Sequence, residues 1–200
     1  MKKREKERIE EREENSYLAR EGKEYRMRSA LFYENVALLA FDCRFPAPEG
    51  EDGRKKIAAF YKDLANATAA YITKRLFPDI VRAYEGRADG RARRAFPRVR
   101  YLADFCITQD GNGFFSVRRK TRVFSAGREI FVHEECEVFS LARGLLCPIR
   151  FLRENGCHFA AKKRFSRHTG RGILKKLLFL AKRTKGEFYL QNNKIHLLTE

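Results

Sequence analysis

The sequence has no apolar run approaching the roughly 20 residues that cross a bilayer as a helix. Its amino-terminal stretch, Met1-Lys2-Lys3-Arg4-Glu5-Lys6-Glu7, carries charges of both signs with no apolar segment behind them, which is unlike a secretory signal and predicts a cytoplasmic location. The cysteines, Cys43, Cys106, Cys136, Cys147 and Cys157, are odd in number and never fall in a CxxC pair. That spacing argues against a disulfide framework and a thiolate metal site, so reduced cysteines acting as small apolar residues are expected, with no metal and no cofactor. Neither a Gly-x-Ser-x-Gly elbow nor a Walker-type loop occurs, and an enzyme is not predicted. Cys157 and His158 are the one adjacent thiol and imidazole, and they lack a third group in view to orient them.

What the chain has in excess is positive charge. The net charge is +17, and two stretches hold most of it. Residues 82–100 contain seven arginines against Glu85 and Asp89, and residues 158–185 contain ten Lys or Arg and no acid. Within them Arg91, Arg93, Arg94, Arg98 and Arg100 accompany Phe96 and Tyr101, while Lys162, Lys163, Arg164 and Arg167 accompany Phe159 and Phe165. Cations interleaved with rings suit phosphate contact and base stacking, so these residues, with Arg171, are candidates for binding a polyanion such as nucleic acid. Arg171 belongs to Thr169-Gly170-Arg171-Gly172, which leads into a helix whose first amides suit an anion.

The most informative stretch for architecture runs from Pro97 to Phe139, where three alternating segments are joined by Asp110-Gly111-Asn112-Gly113 and Ser125-Ala126-Gly127-Arg128. Period-two alternation broken by such turns predicts a three-stranded antiparallel meander. In the first strand Val99, Tyr101, Ala103, Phe105 and Ile107 share a face, and in the second Phe115, Val117, Thr121 and Val123 do. Matching those faces requires 107 opposite 117 and 105 opposite 119, hence an odd-length loop around Gly111-Asn112-Gly113. The third strand's apolar set, Ile130, Val132, Cys136 and Val138, is even-numbered, so a two-residue Ala126-Gly127 loop is predicted, with Val123 opposite Ile130 and Val117 opposite Cys136. This register sets Arg119 against Glu134 as an inward ion pair, either a rim pair or the floor of a polar pocket.

Elsewhere, residues 2–28 carry ten basic and eight acidic side chains and read as a charged helical extension, giving a division into 1–29 and a single α+β domain over 30–200. Leu31 to Phe45 reads as an interior strand ended by Pro46-Ala47-Pro48. Ile57, Phe60, Tyr61, Leu64, Thr68, Tyr71, Ile72 and Leu76 recur at three and four residues, predicting an amphipathic helix from Arg54 to Phe77 closed by Pro78. A second amphipathic helix is predicted over 172–185; its apolar stripe fits the sheet, and a membrane surface is the alternative. Glu187 to Leu190 and Lys194 to Leu198 flank Gln191-Asn192-Asn193 as a terminal hairpin.

Phe139-Ser140-Leu141 through Leu145, Pro148-Ile149-Arg150-Phe151-Leu152, and Glu187-Phe188-Tyr189-Leu190-Gln191-Asn192-Asn193-Lys194-Ile195 resemble motifs of a known domain of unknown function. The stretch 30–200 is similar to the extracytoplasmic domain of RsiV-type, lysozyme-sensing anti-sigma factors and to the non-catalytic partner domain of some peptidoglycan deacetylases. The resemblance implies an α+β fold with helices on one side of an antiparallel sheet, and a binding role with no catalytic residue to carry over. The expected function is therefore a non-enzymatic binding or interaction domain whose partner is an unknown protein or polyanionic ligand. Nucleic-acid binding through the basic residues is the alternative.

Overall fold

The computed structural model describes residues 17–87, 93, 95–160 and 188–198. Six strands form one sheet in sequence order: β1 (Leu18–Glu21), β2 (Glu24–Tyr33), β3 (Val36–Pro46), β4 (Val99–Gly111), β5 (Phe114–Ser125) and β6 (Arg128–Ser140). All neighbours are antiparallel except β3 and β4. A parallel pair needs a crossover, and the chain between these two strands carries the main helix: α1 (Asp52–Tyr71), a π-helical turn (Ile72–Leu76) and α2 (Phe77–Glu85). A short helix α3 (Ile149–Glu154) and a small sheet, β7 (His158–Phe159), β9 (Lys194–Leu197) and β8 (Phe188–Gln191) in spatial order, complete the fold.

Several elements differ from the sequence expectation for definable reasons. The helix predicted to run to residue 28 gives way to β1 and β2 from Leu18 onward, because Tyr25 and Met27 alternate with Arg26 and Arg28 at a strand's period, and only the first pair is buried. Residues 1–16 lie outside the described residues. The single strand predicted from Leu31 to Phe45 is the second half of β2 and most of β3, folded back at Glu34-Asn35, where both residues adopt the left-handed conformation of a two-residue hairpin turn. Pro78 does not end the helix. It sits in the first turn of α2, directly after the wider π turn, at a point where its missing N–H is tolerated.

The first β4–β5 pairs are those that parity demands, Phe105 with Arg119 and Ile107 with Val117, but the odd residue is not in the loop. The turn is a two-residue Asn112-Gly113 with φ of 50° and 81°, and the extra residue is a bulge at Thr108, whose hydroxyl bonds to Ser116 at 2.9 Å. In the next hairpin the loop is Ala126-Gly127 as expected, yet a bulge at Ile130 slips the ladder, so Val123 faces Phe131, Arg119 faces Glu135 and Val117 faces Glu137. Ile130, Val132, Cys136 and Val138 consequently occupy the opposite face from the one predicted. Arg119 and Glu134 are not partners; Glu134 pairs with Arg118 at 2.6 Å on the outer face.

Helices α1 and α2 cover the inward face, enclosing Met27, Phe41, Phe45, Ile57, Tyr61, Phe115 and Phe139. Among the described residues, the other face is covered at one end only. There the small sheet and α3 bury Phe114, Val138, Cys147, Leu152 and Leu190, and the Leu190 N–H donates to the buried Ser116 hydroxyl at 2.9 Å. The terminal hairpin thus belongs to this second layer, not to the main sheet.

Gly53, in the first turn of α1, has no room for a side chain: a Cβ there would lie 1.7 Å from the carbonyl oxygen of Leu141. Gly53→Ala is expected to cost about 2–3 kcal/mol by overpacking, read as a lower urea midpoint with unchanged slope.

Candidate binding cleft

Between the far end of α1 and the sheet the layers do not close. On the helix, Leu64, Thr68 and Tyr71 recur at four and three residues and so share one side, and Leu76 follows beyond the π turn. The sheet supplies a floor in register: Tyr101, Val123 and Phe131 form one row across β4, β5 and β6, and Ala103, Thr121 and His133 form the next. Because the middle of that floor is Ala103 and Thr121, both short, a cleft of about 490 Å³ remains, bounded also by Phe45, Arg119 and Glu135.

The inner end of the cleft is charged. Arg119, with a side chain 10% exposed, donates from Nε to both oxygens of Glu137 at 3.0 and 3.2 Å and from Nη2 to Glu137 Oε1 at 2.6 Å. Its Nη2 also reaches Glu135. Glu137, 1% exposed, accepts further from the Tyr61 hydroxyl at 3.4 Å, and His133 Nε2 stands 3.7 Å from Glu135. Burial works against the charge on Arg119, but the bond to Glu137 and the two carboxylates outweigh it and push the guanidinium's pKa up. Burial, then the charge of Glu137, holds the Tyr61 phenol well above the usual tyrosine range. Tyr101 is pushed up to about 12, chiefly by burial. At neutral pH the cleft therefore presents the neutral Tyr101 phenol, an aromatic and aliphatic wall, and a cation held by carboxylates.

The candidate residues read from the sequence do not gather here. Arg93 turns back over the Tyr84 ring at 5.8 Å and donates to the Glu85 carbonyl at 3.2 Å, while Arg98 donates to the Ala37 carbonyl at 3.4 Å. Arg100 lies on the outer face, 6.0 Å from the centre of the Phe124 ring, which Arg122 approaches to 5.8 Å. Arg91, Arg94, Lys162, Lys163, Arg164, Arg167 and Arg171 lie outside the described residues, as does the stretch 172–185. Cys157 is buried in the second core and its neighbour His158 is exposed, so this thiol and imidazole face different surroundings. Among the described residues no helix is long and apolar enough to cross a membrane, and no three metal-ligating side chains come together.

Of the cleft's charged group the sequence reading reached Arg119 but not Glu135, Glu137 or Tyr61. The signal for Tyr61 was its place in the helical stripe. Glu135 and Glu137 were hidden by the one-residue slip at Ile130, which a sequence pattern does not reveal.

Arg119→Met leaves Glu137 buried without its cation and is expected to cost about 3–5 kcal/mol. The double variant Arg119→Met with Glu137→Leu restores most of that, and urea titration of the two variants distinguishes a buried pair from a rim pair. Tyr101 keeps its proton in the folded state at a pH where the unfolded chain releases it. Its contribution is thus complete below pH 10 and is lost as pH rises through about 12. A two-unit displacement corresponds to about 2–3 kcal/mol, so thermal melts between pH 10 and 12 should fall less steeply in Tyr101→Phe.

No protein-family model matches the chain and no curated protein does, so what the cleft serves rests on the residues that line it.

Proposed function

We propose that the protein is a non-enzymatic binding domain whose recognition site is the cleft between α1 and the sheet. One observation carries this reading: the ionised groups at the inner end of the cleft are engaged with one another, and the roughly 490 Å³ in front of them is walled by Leu64, Tyr71, Leu76, Tyr101 and Phe131. A mostly apolar concavity with a few fixed polar groups at one end is the usual form of a binding site. A cation tied to Glu137 by two nitrogens is set to hold position rather than to exchange a proton. The RsiV-like resemblance points to the same kind of role, with a protein as the partner.

The alternative is nucleic-acid binding, and the observation favouring it is the outer face, where Arg100 and Arg122 flank Phe124 with Lys120 on the same side of β5. A ring between two guanidinium groups on an open strand face is a stacking platform for bases.

Purification of the native protein from its own cells, with and without nuclease, separates the two. A protein partner that survives nuclease and 300 mM salt but is lost from Thr68→Trp, which fills the cleft, supports the first reading. Nucleic acid recovered equally with Thr68→Trp, and shed steeply between 50 and 300 mM salt, supports the second and overturns the first.

A further inference from the structure

β6 is the last strand of the main sheet, and among the described residues its outer edge is covered at one end alone. There the Cys147 N–H donates to the Val138 carbonyl at 2.7 Å and the Ser140 N–H donates to the Leu145 carbonyl at 2.9 Å. These bonds show that Val138 and Ser140 direct their backbone groups away from β5. The β5–β6 register is unbroken from Phe131 to Ser140, so the alternation of an antiparallel strand turns the backbone of Val132, Glu134 and Cys136 the same way. Among the described residues nothing pairs with that stretch. It is also where the apolar surface is most open: Ile130 is 62% exposed, Phe131 52% and Val132 50%.

The same strand is a wall of the cleft. Phe131, His133 and Glu135, alternate residues of β6, line it, so a strand laid along the free edge drops every second side chain into the cavity. One donor stands ready inside. Arg119 uses Nε and Nη2 for Glu137 and Glu135, while its Nη1 has no hydrogen-bond partner among the described residues and is solvent-accessible where the side chain lines the cleft. A carbonyl oxygen entering the cleft accepts a charge-assisted hydrogen bond from it.

We propose that an extended segment of a partner protein adds to the sheet as a strand on β6 between Phe131 and Cys136, with apolar side chains at alternate positions entering the cleft and a carbonyl oxygen accepting from Arg119. This rests on the reading that the cleft binds a protein. Backbone hydrogen bonds along β6 give the affinity and the cleft selects the side chains. Charge sorts the occupants by sign. Arg128 at the start of β6 and Lys120 and Arg122 on the neighbouring strand have no carboxylate partner among the described residues, whereas Glu134 and Glu135 are engaged by Arg118 and Arg119 and Glu129 alone opposes them. A second copy of this chain brings the same cations to the edge, whereas a segment with acidic flanks is drawn in.

The test is selection of a displayed library of random decapeptides on the full chain, followed by affinity and amide-exchange measurements on the recovered sequences. Val132→Pro is the diagnostic variant, because it removes a donor from the free edge and leaves the ladder to β5 intact. The expected result is peptides with alternating apolar residues and acidic ends, bound at least tenfold more weakly by Val132→Pro, that slow exchange at Val132, Glu134 and Cys136. Recovery of no peptide that distinguishes the wild type from Val132→Pro overturns the proposal, as does slowed exchange at those amides on concentrating the protein alone, which marks self-pairing. A native partner lost from Thr68→Trp but retained by Val132→Pro leaves the cleft as the binding site and removes strand addition.

Discussion

The buried pairing of Arg119 with Glu137 is the constraint to which the rest of this fold conforms. A guanidinium nine-tenths out of water and a carboxylate 1% exposed are each costly alone, by several kcal/mol, and tolerable only together. Their pairing dictates how β6 lies on β5. With no bulge at Ile130, Arg119 would face Glu134, and Glu137 would face Ser116 on the other side of the sheet, beneath the apolar layer of Phe114, Leu152 and Leu190 and without its cation. A slip of one residue exchanges the two faces of a strand completely. The bulge places Glu137 under Tyr61 and Phe139 against Phe60 and Tyr61, while Val138 meets the second layer. Charge and packing thus select the same register.

Much of this was legible in the sequence, and the illegible part has a common cause. Strand identity over Val99–Ser140 followed from alternation, the Ala126-Gly127 turn from its residues, and the helical stripe from Ile57 to Leu76 from its spacing, all of which are local properties. The bulges at Thr108 and Ile130 are not local, because each depends on what lies across the strand and above it. At Thr108 the consequence was mild, since the parity of Ile107 and Val117 demanded an extra residue somewhere and only its location differed. At Ile130 the apolar pattern itself misled: Ile130, Val132, Cys136 and Val138 look like one buried face, but the first two are exposed, and Val138 serves a second core built with the later residues Cys147 to Cys157 and Phe188 to Ile195. Period-two patterns identify a face without identifying what covers it.

The cleft owes its existence to the same two-layer arrangement. Where the small sheet backs the strands, Phe115, Val117 and Phe139 are sealed under α1. At the other end nothing among the described residues backs Ile130 and Val132, and on the inner side the floor narrows to Ala103 and Thr121. The helix continues past this point because the π turn carries it toward Pro78 and α2, where Ile80 and Tyr84 rejoin the core. The helix is therefore anchored at both ends and spans the gap between, which keeps the cavity open without requiring bulky side chains to prop it.

Net charge, by contrast, says less about the site than its size suggests. On the outer face Arg26 pairs with Asp42 at 3.0 Å, Arg44 with Asp104 at 2.7 Å and Arg118 with Glu134 at 2.6 Å. Such partly exposed pairs are worth about 0–1 kcal/mol each, so they order the surface more than they hold the fold. They also neutralise it locally, leaving Arg100, Lys120 and Arg122 without a carboxylate partner among the described residues. Three of the arginines that the sequence displays in 82–100 have partners within the molecule: Arg82 pairs with Asp79, Arg87 approaches Phe96 and Arg93 approaches Tyr84. A field of this kind steers partners by sign over a Debye length of about 10 Å. Selection among them falls to shape, and the cleft beside β6 is where the described surface has shape to offer.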